Sequence, residues 1–257
     1  MLISKLRSIG NDSGDYSLSF RERVRYLSSL PKSCTHNKRI VIFSTPRSGS
    51  TFLADQIGAS GVVGSPDEWL NPIWVKALIS ENYAKNVLEA LDWVACRTSS
   101  PNGIFSINVQ LHHYILWKRD GLDLVKWGFD DAVYLEREDK ISQAYSLAKA
   151  RLYEKWDQTS ASENQSDGSP NIPIYMILGA LSDIYFWSEY YEKTLKQHIK
   201  RTISYEDYCS NHQLILDLIA QFSGVRLDSL PLESSLKKQQ TISDNEAIEL
   251  LKTKIKL

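Results

Sequence analysis

Residues 47 to 51 read Arg-Ser-Gly-Ser-Thr, which gathers one guanidinium, three hydroxyls and a glycine into a single short turn. Those groups suit an oxyanion: the hydroxyls donate to it, a planar guanidinium fork grips two of its oxygens, and glycine lets the backbone come close. The turn follows the apolar run Ile40-Val41-Ile42-Phe43 and precedes Phe52, Leu53, Gln56 and Ile57, whose spacing is helical. A helix that starts at such a turn offers unpartnered backbone N–H groups and the positive end of its dipole to the same place. Thr45 to Thr51, with Ser48, Gly49 and Ser50 at its centre, therefore reads as a phosphate or sulfate cradle. The plainer alternative is that the hydroxyls cap the helix and Arg47 is solvated. A nucleoside-triphosphate loop would read G-x-x-x-x-G-K-[ST], and both its first glycine and its lysine are missing here. Magnesium-dependent phosphoryl transfer is accordingly the weaker reading.

Transfer to a hydroxyl also needs a base within hydrogen-bond reach of it. Glu68 is the candidate, on the turn-rich segment Ser65-Pro66-Asp67-Glu68-Trp69-Leu70-Asn71-Pro72, where the carboxylate would face an acceptor and the Trp69 indole would stack on a sugar ring. On residue types alone, Asp67 and Glu68 are equally well explained as surface charges. His112, with His113 beside it in "NVQLHHYILW", is the rival base; packed or surface histidines are the alternative, and the pair lacks the i, i+4 spacing of a helical metal site. Arg137 at the end of a later strand, with Ser142 and Ser146 on the following helix, can bracket a second phosphate at the same sheet edge. Solvated arginine and ordinary helix serines are the competing explanation.

The elements that must position these groups alternate between strand and helix. Strands are expected from Arg39, over 103–111 ("GIFSINVQL"), over 131–139 ("DAVYLERED") and over 201–208 ("RTISYEDY"). Helices are expected from Ile73 to Trp93, from Lys140 to Trp156, from Ile174 to Ile199, and through "NHQLILDLIAQFSGV" to a stop at Gly224; Gly61 stops the first one. Residues 1–38 read as an N-terminal extension with a short helix at Phe20 to Leu30, and 39–257 as a single domain. The hydrophilic stretch 160–171 reads as a loop or lid. Trp187, Tyr190 and Tyr191 are expected in the core or at an interface. The alternation predicts an α/β fold, a parallel sheet flanked by helices, with ligands outside the carboxyl ends of the strands.

A chain of 257 residues, 42% of them hydrophobic, suits one domain with a sizeable core. Its 30 basic and 31 acidic residues give no electrostatic case for nucleic acid or an anionic membrane as partner. Cys34, Cys96 and Cys209 are odd in number and widely spaced, which argues against a disulfide framework and a zinc site and favours a reducing compartment. With no signal-type apolar segment and no run of about 18 apolar residues, the expectation is a cytoplasmic protein without a membrane span.

The motifs together resemble a known family. "TPRSGSTFL" followed by "GVVGSPDEWL" is similar to the 5′-phosphosulfate loop and substrate segment of the Stf0-type (trehalose 2-sulfotransferase-like) sulfotransferases, and more distantly to the P-K-S-G-T-T loop of other sulfotransferases. "YLEREDKISQAYSLAKA" resembles the family segment R-x-D-K-x-x-Q-A-x-S, whose arginine and final serine, here Arg137 and Ser146, hold the 3′-phosphate of the sulfate donor. "TISYEDY" resembles the family's Y-E-D-L segment, which implies Tyr205, Glu206 and Asp207 ending a core strand. Two departures stand out. Asn108 occupies the place of a lysine in the family's F-G-x-K strand, and "LKKQQTISDNE", with Lys237, Lys238 and Gln239, matches the family's basic donor-closing segment only loosely.

The resemblance implies a P-loop-like sulfotransferase fold and 3′-phosphoadenosine 5′-phosphosulfate (PAPS) as co-substrate, with no metal. It implies a carbohydrate or glycolipid-type hydroxyl as acceptor, Glu68 as general base, and Arg47, Ser48, Gly49, Ser50 and Thr51 around the 5′-phosphate leaving group. Trp156 closes the Ser146 helix in a position like that of a family tryptophan, with stacking on donor or acceptor and a place in the core or at an interface as its two readings, and a homodimer is compatible with the family. The alternatives are a P-loop nucleotide-binding protein without this activity and a small-molecule kinase.

Overall fold

The structure is a computed structural model that describes residues 2, 16–32, 36–153, 172–229 and 242–255. Cys34, Trp156, the 160–171 stretch, Lys237, Lys238 and Gln239 lie outside the described residues.

The run Ile40 to Phe43 is fully buried, as an inner strand covered on both faces must be. It belongs to β1 (Lys38–Ser44), which pairs in parallel with β2 (Ile104–Gln110) on one side and β3 (Asp131–Glu136) on the other. β4 (Arg201–Ser204) joins β3, also in parallel, so the sheet order is β2-β1-β3-β4. Helices intervene in chain order: α1 (Tyr16–Ser29), α2 (Ser50–Ala59), α3 (Pro72–Ser80), α4 (Val87–Thr98), α5 (Leu111–Arg119), α6 (Leu124–Trp127), α7 (Lys140–Tyr153), α8 (Ile174–Thr194), α9 (Tyr205–Ser210), α10 (Gln213–Ser223) and α11 (Ile242–Ile255).

Alternation along β1 divides the core between the two faces of the sheet. Val41 and Phe43 enter a cluster with residues of α1, α3, α4, α5, α7 and α8, while Ile40 and Ile42 pack with Leu53 and Ile57 of α2 and with Ile215, Leu218 and Phe222 of α10. Each fully buried side chain of this size contributes about 1.5–3 kcal/mol. Residues of the sequence-level extension take part: Phe20 of α1 meets Trp74 of α3 edge-on at 4.9 Å.

Several expected boundaries differ. The helix expected over 73–93 is two helices, because Asn82 turns left-handed at φ 60° and the Asn86 side chain then accepts from the Glu89 N–H to start α4. α5 begins directly where β2 ends and has no counterpart in the sequence reading. The fourth strand stops at Ser204, whose hydroxyl accepts from the Asp207 N–H, so Tyr205, Glu206 and Asp207 open a helix rather than end a strand.

Candidate active site

Ser44 is the register partner of both Gln110 and Leu135, so β1, β2 and β3 run out level. The chain leaves β1 for β2 at one edge and β3 for β4 at the other, which opens a crevice between the carboxyl ends of β1 and β3. The turn at 45–51 meets Arg137, Gln143 and Ser146 at that crevice.

The turn itself is unusual in its backbone. Arg47 has φ 63° and Gly49 φ 85°, two left-handed residues with Ser48 between them, a conformation of the kind that forms anion-binding concavities. Glycine is required at 49 by φ and by space: a Cβ there would overlap the Tyr208 hydroxyl and the Tyr205 ring. The Tyr208 hydroxyl donates to the Gly49 carbonyl at 2.8 Å. From the other side Gln143, fully buried on α7, donates to Thr45 Oγ1 and to the Pro46 carbonyl, both at 2.8 Å.

Side chains from the β3 side then reach across. Arg47 Nε donates to Ser146 Oγ at 3.0 Å, so the two residues expected at separate phosphates are in contact. The Arg137 guanidinium lies 4.8 Å from the centre of the Tyr205 ring and donates to the Arg47 carbonyl at 3.4 Å. Ser48 Oγ and Arg137 Nε are buried and carry no hydrogen-bond partner among the described residues. Buried donors of this kind ordinarily have partners, and an anion in the crevice would supply one to both. Thr51 is half-buried in the first turn of α2. Ser142 serves differently: its backbone N–H and hydroxyl donate to the two Asp139 carboxylate oxygens at 2.9 and 2.7 Å, fixing the start of α7. The Glu206 carboxylate accepts from the backbone N–H groups of Glu138 and Asp139, and so ties α9 to that same start.

On the β2 side, Glu68 Oε1 accepts from Gln110 Nε2 at 3.0 Å, and the same amide nitrogen donates to Ser50 Oγ at 2.8 Å. Glu68 is thus one amide away from the anion turn. The segment before it is held to β2 by the Asn108 N–H, which donates to the Asp67 carbonyl at 3.0 Å. Asn108 itself is buried, its side chain accepting from Ser44 Oγ at 3.3 Å. Trp69 does not face an acceptor. Its indole is 1% exposed, donates to the Ser65 carbonyl at 3.0 Å and packs edge-on to Trp74, so it anchors the Glu68 segment from beneath.

The His112 ring lies tilted against those of His113 and of Trp187 on α8, with centroids 3.9 and 5.3 Å away. Burial, with the nearby Arg151 charge second, pulls His112 down to about 4, and burial with its neighbour pulls His113 down to about 2. Among the described residues no hydrogen bond links either ring to the turn or to Glu68. Gln110 and Gln143 were missed by sequence reasoning. The signal for Gln110 was present in the alternation Ser106, Asn108, Gln110 within an otherwise apolar strand, which marks one polar face of β2.

Residues 39–105, which hold both the turn and Glu68, match the family model described as Stf0 sulphotransferase, and the family resemblance stands on that segment. No curated protein matches the chain. Among solved structures, the "Sulfotransferase Domain from the Curacin Biosynthetic Pathway" is similar with a TM-score of 0.44 and 14% identity, covering 80% of this chain and 81% of that one.

Proposed function

We propose that this chain, with its Stf0 sulphotransferase segment at residues 39–105, is a sulfotransferase that moves a sulfuryl group from PAPS to a hydroxyl of a carbohydrate or glycolipid-type acceptor. The observation that supports it most is the convergence of Arg47, Ser48, Arg137 and Ser146 on one crevice, where Ser48 Oγ and Arg137 Nε are buried donors with no partner among the described residues, with a carboxylate one side chain away. When bound, PAPS supplies an activated sulfuryl group and leaves as the 3′,5′-bisphosphate. Arg47, Ser48 and the first N–H groups of α2 hold the 5′ end and neutralise the charge that grows on the leaving oxygen. Arg137 and Ser146 hold the 3′-phosphate. Glu68 takes the proton of the acceptor hydroxyl as the new S–O bond forms and the old one breaks, its electron pair passing to the 5′-phosphate. Positioning and charge neutralisation carry the rate, as in phosphoryl transfer.

The test is calorimetric binding of adenosine 3′,5′-bisphosphate to the parent and to Arg137→Ala, with magnesium-ATP as competitor. Micromolar binding that ignores ATP and weakens about 10–100-fold in the variant is expected, the loss of one charged hydrogen bond. Glu68→Gln should keep that binding and lower kcat about 10²–10⁴-fold. Absence of bisphosphate binding, or preference for magnesium-ATP, would sink the proposal.

A further inference from the structure

The geometry points to Gln110 as a positioning residue that sets Glu68 and Ser50 together; its catalytic consequence rests on the sulfotransferase reading above. Gln110 ends β2, is 3% exposed, and places Nε2 2.8 Å from Ser50 Oγ and 3.0 Å from Glu68 Oε1. A carboxylate only accepts, so the amide nitrogen must be the end that faces Glu68. One amide proton then goes to each partner. Ser50 Oγ acts as acceptor in this pair, which leaves its own proton to donate to an anion in the turn. Glu68 Oε1 is held at 3.0 Å, which restrains where its carboxylate sits.

Gln110 uses only the nitrogen end of its amide: its Oε1, like that of Gln143, is buried with no hydrogen-bond partner among the described residues, so the two contacts of Nε2 are what hold the side chain. β2 holds the neighbouring backbone as well: Ser106 Oγ, on the same face as Gln110, donates to the Val63 carbonyl at 2.6 Å, and along the strand's edge the Asn108 main-chain N–H donates to the Asp67 carbonyl at 3.0 Å. Gln110 completes that ladder by gripping the Glu68 side chain itself. Because β2 is in register with β1 at Ser44, the base segment and the anion turn are referenced to one rigid edge.

The first test needs no turnover. In 15N-labelled, ligand-free protein, both Gln110 side-chain protons should exchange slowly with solvent and shift in Ser50→Ala and in Glu68→Ala; exchange at the rate of a free amide overturns the inference. Gln110→Met keeps the length and loses both donors. It should lower kcat about 10–100-fold at saturating donor while acceptor KM changes less than about threefold, the loss of orientation rather than of uniform binding. In bisphosphate binding, Gln110→Met combined with Ser50→Ala should be no weaker than the worse single variant, because both act on one hydroxyl. Parent-like kcat in Gln110→Met, or additive binding losses, overturns the inference. Failure of the underlying reading looks different: the parent fails to bind the bisphosphate, or Glu68→Gln turns over at the full rate, while amide exchange still decides whether Gln110 holds its two partners.

Discussion

Arg47 is held in the left-handed region at φ 63°, a conformation that costs an L-residue about 1–2 kcal/mol, and its side chain is at once engaged by Ser146. Strain of this kind persists where surrounding contacts impose it and a function needs the resulting direction. Arg47→Gly and Arg47→Ala should therefore part company in stability. Both are expected to lose turnover, yet the glycine variant should be about 1 kcal/mol the more stable of the two in urea unfolding, since only alanine keeps the backbone cost. Equal stabilities would show that the turn carries no strain at 47. The strand-to-helix turn around Arg47, Ser48 and Gly49 was legible in the sequence because a helix start, a glycine and a short polar run are local signals. Trp69 was misread because an aromatic beside a carboxylate looks the same in sequence whether it faces a ligand or the core. Its burial is decided by Trp74, on the next helix.

At the scale of elements, the junction of β2 with α5 carries two largely buried histidines, His112 against Trp187 of α8 and His113 beside it, with Arg151 of α7 and Asp183 of α8 as the charged groups around His112. The folded-state value of His112, about 4, lies below its ordinary 6.5. Between those two values the unfolded chain binds a proton that the folded chain refuses, so stability falls as pH drops from about 6.5 and levels off below about 4 for this group. His113, pulled down to about 2, extends the loss further. Unfolding free energy measured at pH 7 and pH 4.5 should drop by about 2 kcal/mol more in the parent than in His112→Gln. Identical drops would mean that His112 is charged in the folded state. Element identity was readable where one pattern ruled, as in Ile40 to Phe43 of β1. The break between α3 and α4 was not, since apolar residues recur at helical spacing straight through the Asn82 turn. α9 was hidden for the opposite reason: Ser204 and Asp207 form a helix-start signature three apart, but the Thr202-Ile203 run before them reads as strand.

Across the whole molecule, the C-terminal helix is tied to the helix that carries Ser146. Lys149 of α7 meets Asp244 of α11 at 2.7 Å, Lys252 meets Asp139 at 2.8 Å, and Ile248 is buried in the larger core cluster. The two ion pairs differ in kind. Lys252 and Asp139 are each about one-third exposed, where such a pair contributes about 0–1 kcal/mol. Asp244 is 1% exposed, and Lys149 Nζ donates to both of its carboxylate oxygens, at 3.0 and 2.7 Å. Removing only the ammonium leaves a buried carboxylate without that counter-charge, and Lys149→Met is expected to cost about 3 kcal/mol in urea unfolding. Lys149→Met with Asp244→Leu should recover most of that loss, because the desolvation of both charges disappears together and apolar surface takes their place. A single-variant cost below about 1 kcal/mol would place Asp244 in contact with solvent when α11 moves, and would make α11 a loosely held element. The full cost with recovery in the double variant would make it part of the frame that holds α7, and with it Ser146 and Gln143, against the anion turn.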